Sequence, residues 1–324
     1  MRHSCANMRR AVFCSLAAIL SAISSTTWAQ AFPSRPVTLV VPFAAGGPLD
    51  IMSRAVSREV EKTWKQPVII ESRAGAGGMV GSDYVTRQKA DGYTLLLHGP
   101  APLQIRMFMK EPSFNPADLR PLVALGESSY MATVHPGLGV KTMKELVDLA
   151  KSKPNELNYA TIPMSTYDLG YHLFMQQVGI KMNAIPYQSA APIIPAFLRG
   201  DIQVYFGTLT TLGPHLASGK LTPIAWLYRE RHPKYPNVPT AREQGFEYST
   251  SYVNGLFVHA KTPEDLFHKL GRDIAATLKV PEVIAQLDVA GYLVPPTPLD
   301  WGTQIQSETA RYMEMARMLN YKPE

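Results

Sequence analysis

The 324-residue sequence contains two cysteines, Cys5 and Cys14, and both fall within the first 31 residues. A chain trimmed of that segment has neither disulfide nor thiol chemistry, so its fold must hold by packing alone, which a core of this size allows. After residue 31 no run is long and apolar enough to cross a bilayer as a helix. Catalytic signatures are missing as well: there is no G-x-S-x-G elbow, no H-E-x-x-H, no C-x-x-C and no glycine-lysine-hydroxyl phosphate loop. Apart from His3 the histidines are His98, His135, His172, His215, His232, His259 and His268, never two within helical ligand spacing. A metal centre is therefore not expected. Nor does any Lys/Arg block remain beyond the N-terminal segment to attract nucleic acid or anionic lipid. That segment holds three arginines and no acid, so without it the formal charge falls from +6 to +3. The expectation is a protein without catalysis, cofactor, metal or nucleic-acid partner.

The segment 1–31 has the order of a secretory signal peptide. Arg2, His3, Arg9 and Arg10 form a positive start, Ala11 to Ile23 a short apolar run, and Thr27-Trp28-Ala29 and Ala29-Gln30-Ala31 small-residue cleavage patterns. Export to the periplasm follows. In the remainder, apolar strands alternate with amphipathic helices. Val37 to Val41 reads as a strand broken at Pro42, and the next helix puts Met52, Val56, Val60 and Trp64 four apart on one face. Pro67 to Glu71 and Tyr93 to Leu97 read as further strands. Thr142 to Glu145 and Thr240 to Glu243 read as capping boxes. Thr262-Pro263 and Thr297-Pro298 each mark a helix start.

Strand, loop and helix at this spacing predict an α/β protein of two mainly parallel sheets flanked by helices. The length suits two domains. Strand runs near 122–134 and 252–258 suggest a chain that crosses over and returns. The expected lobes are 32–126 plus 253–324, and 127–252, with a ligand cleft between them.

Two glycine loops stand out. Phe43-Ala44-Ala45-Gly46-Gly47-Pro48-Leu49-Asp50 joins the first strand to its helix, reading either as a plain tight turn or as an anion site at a helix start. Gly75 to Gly81 would need glycine at position 80 to complete a nucleotide fingerprint, and Val80 stands there. A loop lining or closing over the cleft is expected instead.

These stretches resemble the extracytoplasmic receptors of the tripartite tricarboxylate transporters, the Bug-type family. The resemblance rests on Arg35 to Gly47 with Asp50, on Gln66 to Gly78, on Asp91 to Leu96, Leu157 to Ala160 and Ile185 to Tyr187. It continues through Pro214 to Leu221, Val238 to Thr240 and Gly255 to Phe257. It implies a periplasmic binding protein-like receptor, monomeric, that closes on a small carboxylate and docks on a membrane permease. A receptor that only senses, or a hydrolase, is the alternative. Contacts are expected from Phe43, Ala44, Ala45, Gly46, Gly47, Asp50, His98, Gly99, Pro100 and Ala101 in the first lobe. Thr161, Ser165, Thr166, Tyr187, Gln188, Ser189 and Thr208 are expected from the second. The sequence departs from the family with Pro48-Leu49 where a hydroxyl pair is usual, His98 to Pro102 where small hydroxyl residues and glycine are usual, Thr161 to Asp168 where a glycine-rich loop ending in Thr-His is usual, and Phe206-Gly207 where Phe-Asp is usual. The proposed cleft loops carry no lysine or arginine, and Pro48, Leu49, Pro100, Ile162 and Met164 make their walls more apolar. The ligand expected is a carboxylate without an amino group, on an apolar or aromatic body.

Overall fold

The computed structural model describes residues 32–105, 111–163, 166–294 and 300–318. The expected signal peptide lies outside them, as do Ser165 and the Thr297-Pro298 helix start. The 37–41 run forms β1 (Val37–Val41), and the helix behind it, α1 (Pro48–Trp64), buries Met52, Val56, Val60 and Trp64. In chain order there follow β2 (Val68–Ser72), α2 (Met79–Thr86), β3 (Thr94–His98), the single turn α3 (Ala101–Gln104), β4 (Leu119–Ser129) and β5 (Met131–Val134). Then come α4 (Met143–Ser152), β6 (Asn158–Thr161), α5 (Thr166–Val178), β7 (Asn183–Pro186), α6 (Ile193–Arg199), β8 (Val204–Gly207), α7 (Leu209–Ala217) and β9 (Thr222–Trp226). The chain ends with β10 (Ser251–His259), α8 (Glu264–Thr277), α9 (Pro281–Val289) and α10 (Trp301–Met318).

Two five-stranded sheets result, ordered β2-β1-β3-β10-β4 and β7-β6-β8-β5-β9. They are mixed. In each, one strand runs against the other four and pairs antiparallel on both sides: β10 in the first sheet, β5 in the second. Each reversed strand is the one that receives the chain from the other sheet. β5 follows β4 with only Tyr130 between, and β10 follows β9 after a connection of irregular structure. The described residues from Pro36 onward form one compact unit that contains both sheets.

The C-terminal helices return to the first sheet, α8 and α10 packing on β4 and α9 on α1. Trp64 Nε1 donates to Asp273 Oδ2 at 2.8 Å, tying α1 to α8 across 209 residues. The second sheet has an aromatic core in which Tyr171 stacks on Phe206 at 4.2 Å and its hydroxyl accepts the Phe206 N–H. Of the two capping boxes only Thr240–Glu243 closes in both directions, and it opens a 3₁₀ turn. Thr142 caps α4, but the Glu145 carboxylate accepts from Lys141 N–H. Thr262 gives its hydroxyl to His259 O, so α8 starts without a side-chain cap.

β10 and β4 slip register between Asn254 and Gly255. A Cβ on Gly255 would stand 2.3 Å from Val123 O and 2.7 Å from the Trp301 ring. Backbone cannot yield as a flexible side chain can, so Gly255→Ala is expected to cost about 1–3 kcal/mol. Urea unfolding checks this; an unchanged midpoint would mean that β4 and β10 do not approach so closely.

Candidate functional site

The carboxyl ends of β1, β3, β6 and β8 all open onto one cavity of ≈ 140 Å³, the position where open α/β sheets generally hold ligands. From the first sheet it is walled by the β1–α1 loop, by Gly77 and by the turn His98 to Ala101. From the second come Ile162 behind β6, Ser189 to Ala191 ahead of α6, Tyr205 of β8 and Thr208, the residue that caps α7. Tyr130 in the crossover and Tyr252 and Asn254 on β10 complete it. Tyr130 and Tyr252 stack at 4.9 Å with 28° between their planes.

The β1–α1 loop is shaped by local chemistry. Gly46 has φ +86°, a left-handed conformation that suits glycine. Gly47 precedes the helix, and Pro48 takes the first helical position where its missing N–H costs nothing. The Asp50 carboxylate accepts from Gly46 N–H at 3.1 Å and from Arg54 Nε at 3.0 Å. Burial alone would raise its pKa, but those two hydrogen bonds and the Arg54 charge outweigh burial and hold it below the ordinary value. Asp50 is thus an ionised brace of the loop, already engaged.

His98 is buried at 3% exposure, and neither ring nitrogen completes a hydrogen bond within the protein. Burial pushes its pKa down to about 4, with the backbone of Gly77 and Gly99 offsetting part of that loss, so the ring is neutral at pH 7. Its edge lies against Gly78, where a Cβ would come within 2.2 Å of Nε2. Desolvation also raises the phenols: Tyr252 to about 12, Tyr130 and Tyr205 further. Among the described cavity residues, then, no group titrates near neutral pH as a general base or acid would. No lysine or arginine among the described residues lines the cavity. Among the described residues no cluster of His, Cys, Asp and Glu could hold a metal ion, and no helix is long and apolar enough to cross a membrane.

Of the residues expected from sequence, Phe43, Ala44, Gly47, Asp50, His98, Gly99, Pro100, Ala101, Ser189 and Thr208 meet at this cavity. Others stand apart. Ala45 and Gly46 turn outward to solvent as the loop reverses. Thr161 donates its hydroxyl to the Asp168 carboxylate. Tyr187 packs against the core of the second sheet and Gln188 is exposed. Ser165 lies outside the described residues, and Thr166 opens α5. Sequence reasoning missed Tyr130, Tyr205, Tyr252 and Asn254. Asn254-Gly255 inside an otherwise apolar strand was the available signal, since glycine within a strand often marks a bulge or close approach.

The fold recurs in known proteins. The family model described as tripartite tricarboxylate transporter family receptor matches residues 52–317. Protein BugT of Bordetella pertussis is 30% identical over 285 residues, 86% of each chain. Among solved structures, R. palustris Rpa4515 with adipate superposes with a TM-score of 0.84 at 27% identity, covering 90% of this chain and 100% of that one. MatC (Rpa3494) from Rhodopseudomonas palustris with bound malate gives 0.81 at 28%, covering 88% and 99%.

Proposed function

The chain belongs to the tripartite tricarboxylate transporter family of receptors, and from that premise we propose that it captures a small carboxylate in the periplasm and delivers it to a membrane permease, without catalysis. The lobes are taken as 32–126 with 253–324, and 127–252, and the ligand is held in the cavity between them. Closure then follows from differential affinity, because a ligand touching both lobes favours the state in which both can reach it.

One observation carries the choice of ligand: a cavity with aromatic walls, two helix starts and, among the described residues, no cationic side chain. α1 and α7 both begin at the cavity, and neither uses a side chain to satisfy its first turn. Their N–H groups and dipoles favour negative charge. Between them lie the Tyr130–Tyr252 stack, Phe43 and Ile162. An anionic group held by backbone and hydroxyls, on an apolar or aromatic body, fits this surface, and a ligand ammonium would be desolvated with few partners. The volume is close to the ~150 Å³ that accepts a benzene ring. Support from relatives is of the same kind, since the two structures above hold adipate and malate.

Calorimetric titration with benzoate, terephthalate, adipate, citrate and glutamate tests the reading. Binding is expected to be tightest for a dicarboxylate or aromatic monocarboxylate, with a thermal shift reflecting about 2.7 kcal/mol at a hundredfold excess over Kd. Tightest binding of glutamate would overturn the assignment of the cleft.

A further inference from the structure

The turn that closes α9, Asp288 to Leu293, is gripped from both sheets. It is anchored to the first: Glu127 and Leu293 exchange backbone hydrogen bonds at 2.9 and 2.8 Å, and Ser128 Oγ donates to Gly291 O at 2.8 Å. Elements of the second sheet reach the same few residues. Lys234 Nζ meets Asp288 Oδ2 at 2.6 Å and Asp288 O at 3.2 Å. The Thr210 hydroxyl, in the first turn of α7, donates to Ala290 O. Gly291 has φ +79°, and a Cβ there would lie 3.1 Å from Leu209 Cβ. The loop bearing Lys234 is itself seated on the second sheet by His232 stacking on Trp226 at 4.8 Å.

Both ends of this grip lead to the cavity. Thr208, which lines the cavity, is the residue immediately before the Leu209–Thr210 contact. On the other side Asn254 Nδ2 donates to Tyr292 OH at 2.9 Å, the Tyr252 and Tyr292 rings meet edge to face at 6.4 Å, and the Ser128 hydroxyl holds Gly291 O. Cavity residues thus connect to the turn through one covalent step beside the second sheet and one chain of contacts on the first.

We propose that the Asp288–Leu293 turn is an interlobe clasp, and that Lys234, Asp288 and Thr210 are positioning residues that set ligand affinity without touching the ligand. The proposal rests on reading the cavity as the ligand site. The clasp holds the two lobes at the angle at which the cavity walls meet, so it raises the fraction of empty receptor already competent to bind. Apparent affinity falls in proportion to that fraction when the clasp is broken. The exposed ion pair contributes modestly, and the hydroxyl bond adds to it.

Because both cysteines lie in residues 1–31, a chain starting at residue 32 with Arg58→Cys and Lys151→Cys takes spin labels at two exposed sites, one on α1 and one on α4. With Lys234→Met and Thr210→Val added, the ligand-free label distance is expected to broaden or shift. Affinity for the tightest of the five carboxylates above should fall about tenfold, with the urea midpoint unchanged. The swapped pair Lys234→Asp with Asp288→Lys should recover the parental distance. A distance distribution identical to the parent's overturns the clasp, whatever the ligand. If the parent binds none of the carboxylates, the cleft reading fails instead, and the ligand-free distances still decide the clasp.

Discussion

Gly47→Val is expected to weaken carboxylate binding by about 100–1,000-fold, the equivalent of roughly 3–4 kcal/mol, in a protein that folds as before. Gly47 has φ −83° and ψ 175°, extended backbone that valine adopts readily. A Cβ there meets nothing nearer than Ala44 O at 3.7 Å. The isopropyl group therefore costs little in the folded protein, at a residue that lines the cavity. Bound ligand would lose a charge-assisted approach to the helix start, about 1.5–3 kcal/mol, and would meet overpacking on top of it. Calorimetry on the parent and the variant, with urea unfolding beside it, separates the two effects. A folded variant with parental affinity would reduce the loop to a tight turn.

What made Gly47 legible in the sequence was local: paired glycines between an apolar strand and an amphipathic helix, with proline at the helix start. The same kind of signal located β1 to β3 and α1, whose buried face of Met52, Val56, Val60 and Trp64 follows from four-residue spacing alone. The direction of β5 and β10 was not legible, because a strand's local pattern does not say which neighbours it will have. Four strands of five run one way in each sheet, as expected, and the single reversed strand is what makes each sheet mixed.

The tyrosines were hidden for a related reason. Tyr205 sits in the apolar run of β8, where its neighbours Val204 and Phe206 are core, and nothing local says that its ring reaches the cavity. Tyr130 and Tyr252 stack only because the crossover after β4 and the return into β10 run side by side, a contact between residues 122 positions apart. Loops declare themselves through glycine and proline. Walls contributed by strands need the topology first.

Lowering the pH from 7 to 5 is expected to cost the protein about 2 kcal/mol of stability through His98 alone, a loss that His98→Gln should remove. The ring is wholly buried, and its pKa in the folded state is about 4 against an ordinary 6.5. Between those values the unfolded chain binds a proton that the folded one refuses. Stability from this source is therefore unaffected above about pH 6.5, declines as pH falls, and levels off near pH 4 at a total loss of about 3 kcal/mol. Carboxylates held below their ordinary values, such as Asp50, Glu243 and Glu264, lose their contributions lower, as pH falls from about 4.5. The interval from 6.5 to 5 thus isolates histidine. His232, whose pKa is also lowered by burial and by Lys234, is present in both proteins and cancels in the difference. Phe43 lies 5.5 Å from the His98 ring, and Asp50, the acid at the same cavity, is committed to Arg54 and Gly46. Among the described cavity residues no countercharge therefore waits to stabilise an imidazolium. Urea unfolding of parent and variant at pH 7 and pH 5 gives the four values needed. An equal pH slope in both would mean that His98 takes up its proton in the folded state, and that the empty cavity is not free of cationic charge in acid.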